Sequence, residues 1–218
     1  MSPAATVSRY TYRERIMHWL TSLTYGYCLL TGLAFYSPYL FWIAQVLGGG
    51  PTSRFWHPFS GVGFFVIALW MHSAWHRDMA ITDADRRWLD RMQDYVSNRD
   101  DLVPAQDRFN AGQKLFYWLM YYGAFALLIT GAVMWFPEYI PFSIGWIRPL
   151  AILLHVCAAL VTIGGFTIHV YMSVFLVPGS GTAMLFGYVP AAWARAHHLL
   201  WYRRVSGEAG SSEALSKQ

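Results

Sequence analysis

Charge is scarce in this sequence. Asp, Glu, Lys and Arg together supply 13% of the residues, about half the share of an ordinary soluble domain. The net charge of +4 is too small to make a basic surface for nucleic acid. Cysteine is nearly absent. Cys28 and Cys157 both lie inside apolar runs, which excludes a disulfide framework, a Cys-x-x-Cys redox or metal motif and a Cys-x-x-Cys-His attachment site. Each reads as small apolar filler. No segment repeats along the chain, so a solenoid or repeat array is excluded as well.

What is abundant is apolar surface. Hydrophobic residues make up 56% of the chain, and its 11 Trp and 14 Tyr suit two interfacial belts at the faces of a membrane. A bilayer core asks for about 20 apolar residues per helix. Four runs meet that length: 16–36, stopped by Ser37-Pro38; 55–75, entered after Gly48-Gly49-Gly50-Pro51; 115–136, stopped by Pro137; and 149–177, closed by Pro178-Gly179. The first is preceded by Arg9, Arg13 and Arg15, as a signal peptide would be, but it is long and aromatic and no small-residue cleavage site closes it. The expected architecture is therefore an all-α membrane protein, a four-transmembrane-helix bundle over 16–177. A tail of 1–15 precedes it, a polar loop of 77–114 interrupts it with amphipathic helix around 85–96, and a tail of 178–218 follows.

Positive charge sets the direction of the spans. The first tail carries three Lys or Arg, the long loop seven and the last tail four, whereas the two remaining connections carry only Arg54 and Arg148. Both tails and the long loop are expected on the cytoplasmic side.

The ionisable residues in or at the ends of the spans are nearly all histidine: His18, His57, His72, His76, His155 and His169. Such residues are costly in a membrane and mark function. Without carboxylates they suit neither a proton relay nor a hard cation; imidazole alone suits haem iron, which here would be held non-covalently. His155 and His169 are fourteen residues apart, so they differ by about 40° around a helix and by about 21 Å along it. One helix face thus presents a ligand near each membrane surface. His57, at the outer end of its span, can pair with His155. His18, at the inner end of its own, can pair with His169, and His72 competes for that inner place. His76 beside Arg77 reads as interfacial. Gly61 and Gly165, one turn from His57 and His169, leave room for a macrocycle edge or for close helix packing. Asn110 and Gln113 stand just before the third span, where uncharged amides can hydrogen-bond a ligand or cap a helix.

Several runs resemble a known family. They are Arg15-Ile16-Met17-His18-Trp19, His57-Pro58-Phe59 with Gly61, Arg108-Phe109-Asn110-Ala111-Gly112-Gln113-Lys114, Ile168-His169-Val170-Tyr171-Met172 at the family's spacing from His155, and Ala196-His197-His198-Leu199-Leu200-Trp201-Tyr202-Arg203. Together they resemble the cytochrome b (gamma) subunit of respiratory membrane-bound formate dehydrogenase, a bacterial di-haem cytochrome b. The resemblance implies two haem b groups, the outer on His57 and His155 and the inner on His18 and His169. It also implies a quinone site near Asn110, Gly112, Gln113 and His169. It implies an iron-sulfur subunit and a molybdenum or tungsten pterin subunit as partners. Electrons would pass inward to ubiquinone or menaquinone at the cytoplasmic face of a bacterial inner membrane, while formate oxidation stays on the partner. The histidine pattern alone does not separate this family from the cytochrome b of a hydrogenase or another quinone-linked oxidoreductase. A stand-alone di-haem exchanger between quinone and superoxide is a further alternative, against which the long loop and last tail argue because they resemble docking surface.

Overall fold

The computed structural model describes residues 5–97 and 99–207. Lys217 and the rest of the last tail beyond 207 lie outside the described residues. A short strand β1 (Thr6–Ser8) leads into α1 (Tyr12–Tyr36). Its start is fixed by a reciprocal cap. The Glu14 carboxylate accepts the Thr11 N–H at 2.8 Å, and the Thr11 hydroxyl oxygen accepts the Glu14 N–H at 3.3 Å. The helix ends before Ser37-Pro38, because a residue preceding proline disfavours the helical region.

A small helix α2 (Trp42–Val46) follows, and then Gly48 and Gly49 at φ 96° and 95°, a left-handed backbone that only glycine takes at no cost. They turn the chain into α3 (Gly50–Trp75), which begins five residues before the expected 55. Pro51 sits in its first turn, where a missing N–H costs nothing. The expected amphipathic helix of 85–96 is two pieces, α4 (Asp83–Leu89) and α5 (Met92–Val96). Thr82 and Asp85 form the capping box that starts the first. Next come α6 (Ala111–Trp135), stopped before Pro137, and α7 (Ile147–Tyr171), which runs on as one π-helical turn, Met172–Leu176. The described residues end with α8 (Ser180–Phe186), β2 (Tyr188–Pro190), α9 (Ala191–His197) and α10 (Leu199–Ser206).

Among the described residues, three helices are long and apolar enough to cross a membrane: Gly50–Trp75, Ala111–Trp135 and Ile147–Leu176. With 25 residues α1 has the length, but Arg13, Glu14 and Arg15 occupy its first turn and hydroxyl residues recur along it.

The described residues fall into two compact units. The apolar unit, Ile16–Ala74 with Trp118–Thr167, is centred on Tyr25, Phe64 and Ala124, against which Leu29, Phe65, Ala68, Met120 and Phe166 pack. Its tightest approach is between α6 and α7: a Cβ on Gly123 would stand 2.6 Å from Cγ2 of Thr162, so only glycine permits this spacing.

The polar unit gathers 5–15, 75–117 and 168–207, three stretches far apart in sequence. Antiparallel β1 and β2 pair Thr6 with Pro190 and Ser8 with Tyr188. Tyr10, Trp75 and Phe109 pack together beside them, with Trp75 and Phe109 centred 5.4 Å apart. Arg108 ties the first two segments, donating to Glu14 at 2.7 Å, to Asp78 at 3.0 Å and to the Arg9 carbonyl at 2.9 Å. Burial alone would raise the Glu14 carboxyl; the Thr11 amide, the Trp75 indole and the Arg108 charge outweigh it and hold it below the ordinary carboxylate value. His198 is the buried pin of the last tail. Its Nδ1–H donates to the Asp107 carbonyl at 2.6 Å, leaving Nε2 to accept from Arg9 at 2.9 Å. Burial, and then the Arg9 charge, push it well below the ordinary imidazole value.

Candidate functional site

Two of the expected ligands meet within the apolar unit. His57 lies two turns into α3 and His155 two turns into α7, both half-buried, with ring centres 6.5 Å apart and planes at 56°. Two imidazoles on opposite sides of one metal, each bound through a nitrogen about 2 Å away, have ring centres roughly 6 Å apart. The observed spacing is close to that demand. A hydroxyl secures the far nitrogen of each ring: Thr31 Oγ1 of α1 stands 2.7 Å from Nδ1 of His57, and Thr130 Oγ1 of α6 stands 2.8 Å from Nδ1 of His155. In both rings this leaves Nε2 as the nitrogen that could bind a metal. The residues after the threonines are Gly32 and Gly131, where an added Cβ would already touch Cε1 of His57 at 3.7 Å and of His155 at 3.4 Å. The pair fits a bis-histidine haem. Gly61 faces Cys28, and a Cβ added there would make only ordinary contact with the thiol sulfur, at 4.0 Å.

The other histidines have different surroundings. His18 stands in the second turn of α1, half-buried, edge-on to Trp19 at 5.2 Å. His169, near the end of α7, stacks on Phe116 with ring centres 4.3 Å apart and planes 7° from parallel. His72 stacks on Tyr121 at 4.2 Å and meets the Trp118 ring at 5.9 Å, the surroundings of a packed aromatic residue. His76 is exposed.

Asn110 and Gln113 cap α6. Asn110 Oδ1 accepts the Gln113 N–H at 2.9 Å, and Gln113 Oε1 accepts the Asn110 N–H at 3.0 Å. The Asn110 amide nitrogen donates to the Tyr95 hydroxyl at 3.3 Å, which leaves the Gln113 amide nitrogen as the donor outside the box. Gly112 lets the Trp88 ring lie against this turn, its added Cβ 3.5 Å from Cη2. One residue on, Lys114 is buried with Asp85 at 2.7 Å and donates to the Ala80 carbonyl at 3.0 Å. Burial would raise the Asp85 carboxyl, but Lys114 and the Thr82 hydroxyl and amide hold it below its ordinary value.

The family of prokaryotic cytochrome b561 matches residues 9–187, which contain every one of these histidines except those of the last tail. This chain belongs to that family. Membership implies b-type haem, and with three membrane-length apolar helices it makes the chain an integral membrane cytochrome b that serves electron transport. Among relatives, the chain is 37% identical over 202 residues to the formate dehydrogenase cytochrome b556(fdo) subunit of Escherichia coli strain K12, covering 92% of this chain and 93% of that one. It is 32% identical over 227 residues to the formate dehydrogenase cytochrome b556 subunit of Haemophilus influenzae, covering 97% and 94%. It is 29% identical over 214 residues to the nitrate-inducible cytochrome b556(Fdn) subunit of Escherichia coli strain K12, covering 98% of each. The expected resemblance to formate dehydrogenase cytochrome b subunits therefore holds along nearly the whole chain.

The threonines are what the reading by residue type passed over. A hydroxyl in a membrane span usually bonds back to its own helix and draws no notice. Their signal was the dipeptide Thr-Gly after leucine-rich sequence, present twice, in Leu29-Leu30-Thr31-Gly32 and Leu128-Ile129-Thr130-Gly131.

Proposed function

We propose that this chain is the membrane cytochrome b subunit of a formate dehydrogenase complex in a bacterial inner membrane. It takes electrons from an iron-sulfur partner at the outer face and delivers them to quinone at the cytoplasmic face. Formate is oxidised on a molybdenum or tungsten pterin partner, not on this chain. The carrying observation is the His57–His155 pair, 6.5 Å apart with each Nδ1 held by a threonine hydroxyl. Similarity to three formate dehydrogenase cytochrome subunits supports the choice of complex over a hydrogenase or a stand-alone exchanger.

In this reading α1 is the fourth span and both tails are cytoplasmic, which the distribution of Lys and Arg supports. His57 and His155 hold the outer haem b. His18 and His169 hold the inner one; that pairing rests on span direction and on the family resemblance. When bound, a b haem supplies one-electron redox chemistry. The chain supplies the rest: two imidazoles of fixed orientation, apolar helices that keep water away, and amides at the cytoplasmic end of α6. The Gln113 amide N–H is the group that would donate to a quinone carbonyl, since the capping box commits both carbonyl oxygens.

Purification in mild detergent tests the whole reading. Large subunits with formate dehydrogenase activity should co-purify, and the complex should show a reduced b-type spectrum with two haems per copy of this chain. A chain that purifies alone with haem would favour the stand-alone exchanger, and one haem per chain would remove the inner site.

A further inference from the structure

The two threonines beside the outer pair have their protons already committed. Thr31 Oγ1 donates to the Tyr27 carbonyl at 2.7 Å, and Thr130 Oγ1 donates to the Ala126 carbonyl at 2.6 Å. Both are the bond a helical threonine makes one turn back. A hydroxyl has one proton. Toward His57 and His155 these oxygens therefore offer only lone pairs, so each imidazole must be the donor, with its proton on Nδ1 and its Nε2 bare. Water does not compete: Thr31 is 0% exposed and Thr130 8%. The arrangement is made twice, from different helices. Thr31-Gly32 of α1 seats the imidazole of α3, and Thr130-Gly131 of α6 seats the imidazole of α7, with the glycine in each case facing Cε1 of the ring that the threonine holds.

We infer that Thr31 and Thr130 are positioning residues of the outer haem site, each fixing the tautomer and plane of its histidine and raising the donor strength of Nε2. The inference rests on the bis-histidine reading of His57 and His155 given above. A hydrogen bond accepted from Nδ1–H shifts electron density toward Nε2, as the outer partners of metal-bound histidines do. The stronger donor stabilises the oxidised iron more than the reduced iron and so lowers the reduction potential. Two such bonds on one iron act in the same direction. Removing either should make that haem easier to reduce.

The test uses the purified protein with whatever subunits accompany it, carrying Thr31→Val, Thr130→Val, Thr31→Ser or Thr130→Ser. Valine keeps the shape and loses the acceptor; serine keeps the acceptor and loses only the methyl. Haem content, redox titration of each haem and the low-spin EPR signal are recorded. Each valine variant should keep both haems and move the same one toward the reduced form on the order of tenfold at fixed poise, about 59 mV for one electron. The EPR signal of that haem should change while the other haem is untouched, and the serine variants should return to wild-type values. Loss of one haem in a valine variant with retention in the matching serine variant would also support the assignment. Unmoved potentials in both valine variants, shifts in different haems, or serine variants that behave like valine would overturn it, the last because the methyl and not the oxygen would then matter. A wild-type protein without haem would instead refute the bis-histidine reading itself, a different result from haem present with unmoved potentials.

Discussion

Replacing Lys114 by methionine isolates the most deeply buried ion pair of the polar unit. Lys114 is 4% exposed and Asp85 1%, with 2.7 Å between Nζ and Oδ2. Methionine refills the space of the aliphatic stem but takes away the cation and the bond to the Ala80 carbonyl. Breaking a buried pair by removing one partner costs about 3–5 kcal/mol, because the other charge stays buried. Here Asp85 keeps the Thr82 N–H and O–H, both at 2.7 Å, so the lower end applies, about 3 kcal/mol. For a chain of this length that is a fall of roughly 6–12 °C in Tm. The assay is thermal unfolding in detergent, followed by tryptophan fluorescence, with a double-mutant cycle through Asp85→Asn. The double variant should recover at least about 1 kcal/mol relative to the sum of the singles.

The pH dependence follows with a definite sign. In the wild type the Asp85 carboxyl sits below its ordinary 3.8, so its contribution is complete above that pH and is lost as pH falls through the lowered value. Without Lys114 burial dominates and the carboxyl rises. Protonation then relieves the variant, whose deficit should be largest near pH 7 and shrink toward pH 4. A variant within a degree of wild type at pH 7, or an additive double mutant, would refute the reasoning.

Three further outcomes are expected. His57→Ala and His155→Ala should remove the same haem and block electron entry from the partner, while His18→Ala and His169→Ala remove the other; haem loss in His72→Ala but not in His18→Ala, read from reduced spectra, would reverse the inner assignment. Gly123→Ala should destabilise by about 1–3 kcal/mol through overpacking against Thr162, and Thr162→Ser, which deletes the opposing methyl, should restore Tm in the double variant. Gln113→Ala should leave both haems reducible by formate and slow their reoxidation by quinone, beyond the roughly 0.5–2 kcal/mol that loss of a helix cap costs; reoxidation at the wild-type rate across quinone concentrations would move that site elsewhere.

By itself the sequence determined the elements and their chemistry. Long apolar runs, Pro38, Pro137 and the glycines at 48–50 located the long helices to within a few residues, because burial of a helix in lipid is a property of one segment and its ends are local backbone chemistry. The isolation of histidine among uncharged residues pointed to haem for the same reason: the cost of an ionisable group in an apolar run can be counted without knowing its neighbours. What only the tertiary structure decided was partnership. Asn110 and Gln113 could cap or bind on sequence grounds, and the closed hydrogen-bond ring between them made the cap visible. The tails and the loop read as three separate polar stretches, yet Arg108 of the loop bonds Glu14 of the first tail and His198 of the last tail bonds both Asp107 and Arg9, since a bond between residues 91 or more apart leaves no periodic trace. Thr31 and Thr130 looked like ordinary helix threonines. Their direction toward His57 and His155 depends on how four helices pack, and a hydroxyl's acceptor role is set by which donor that packing brings within reach.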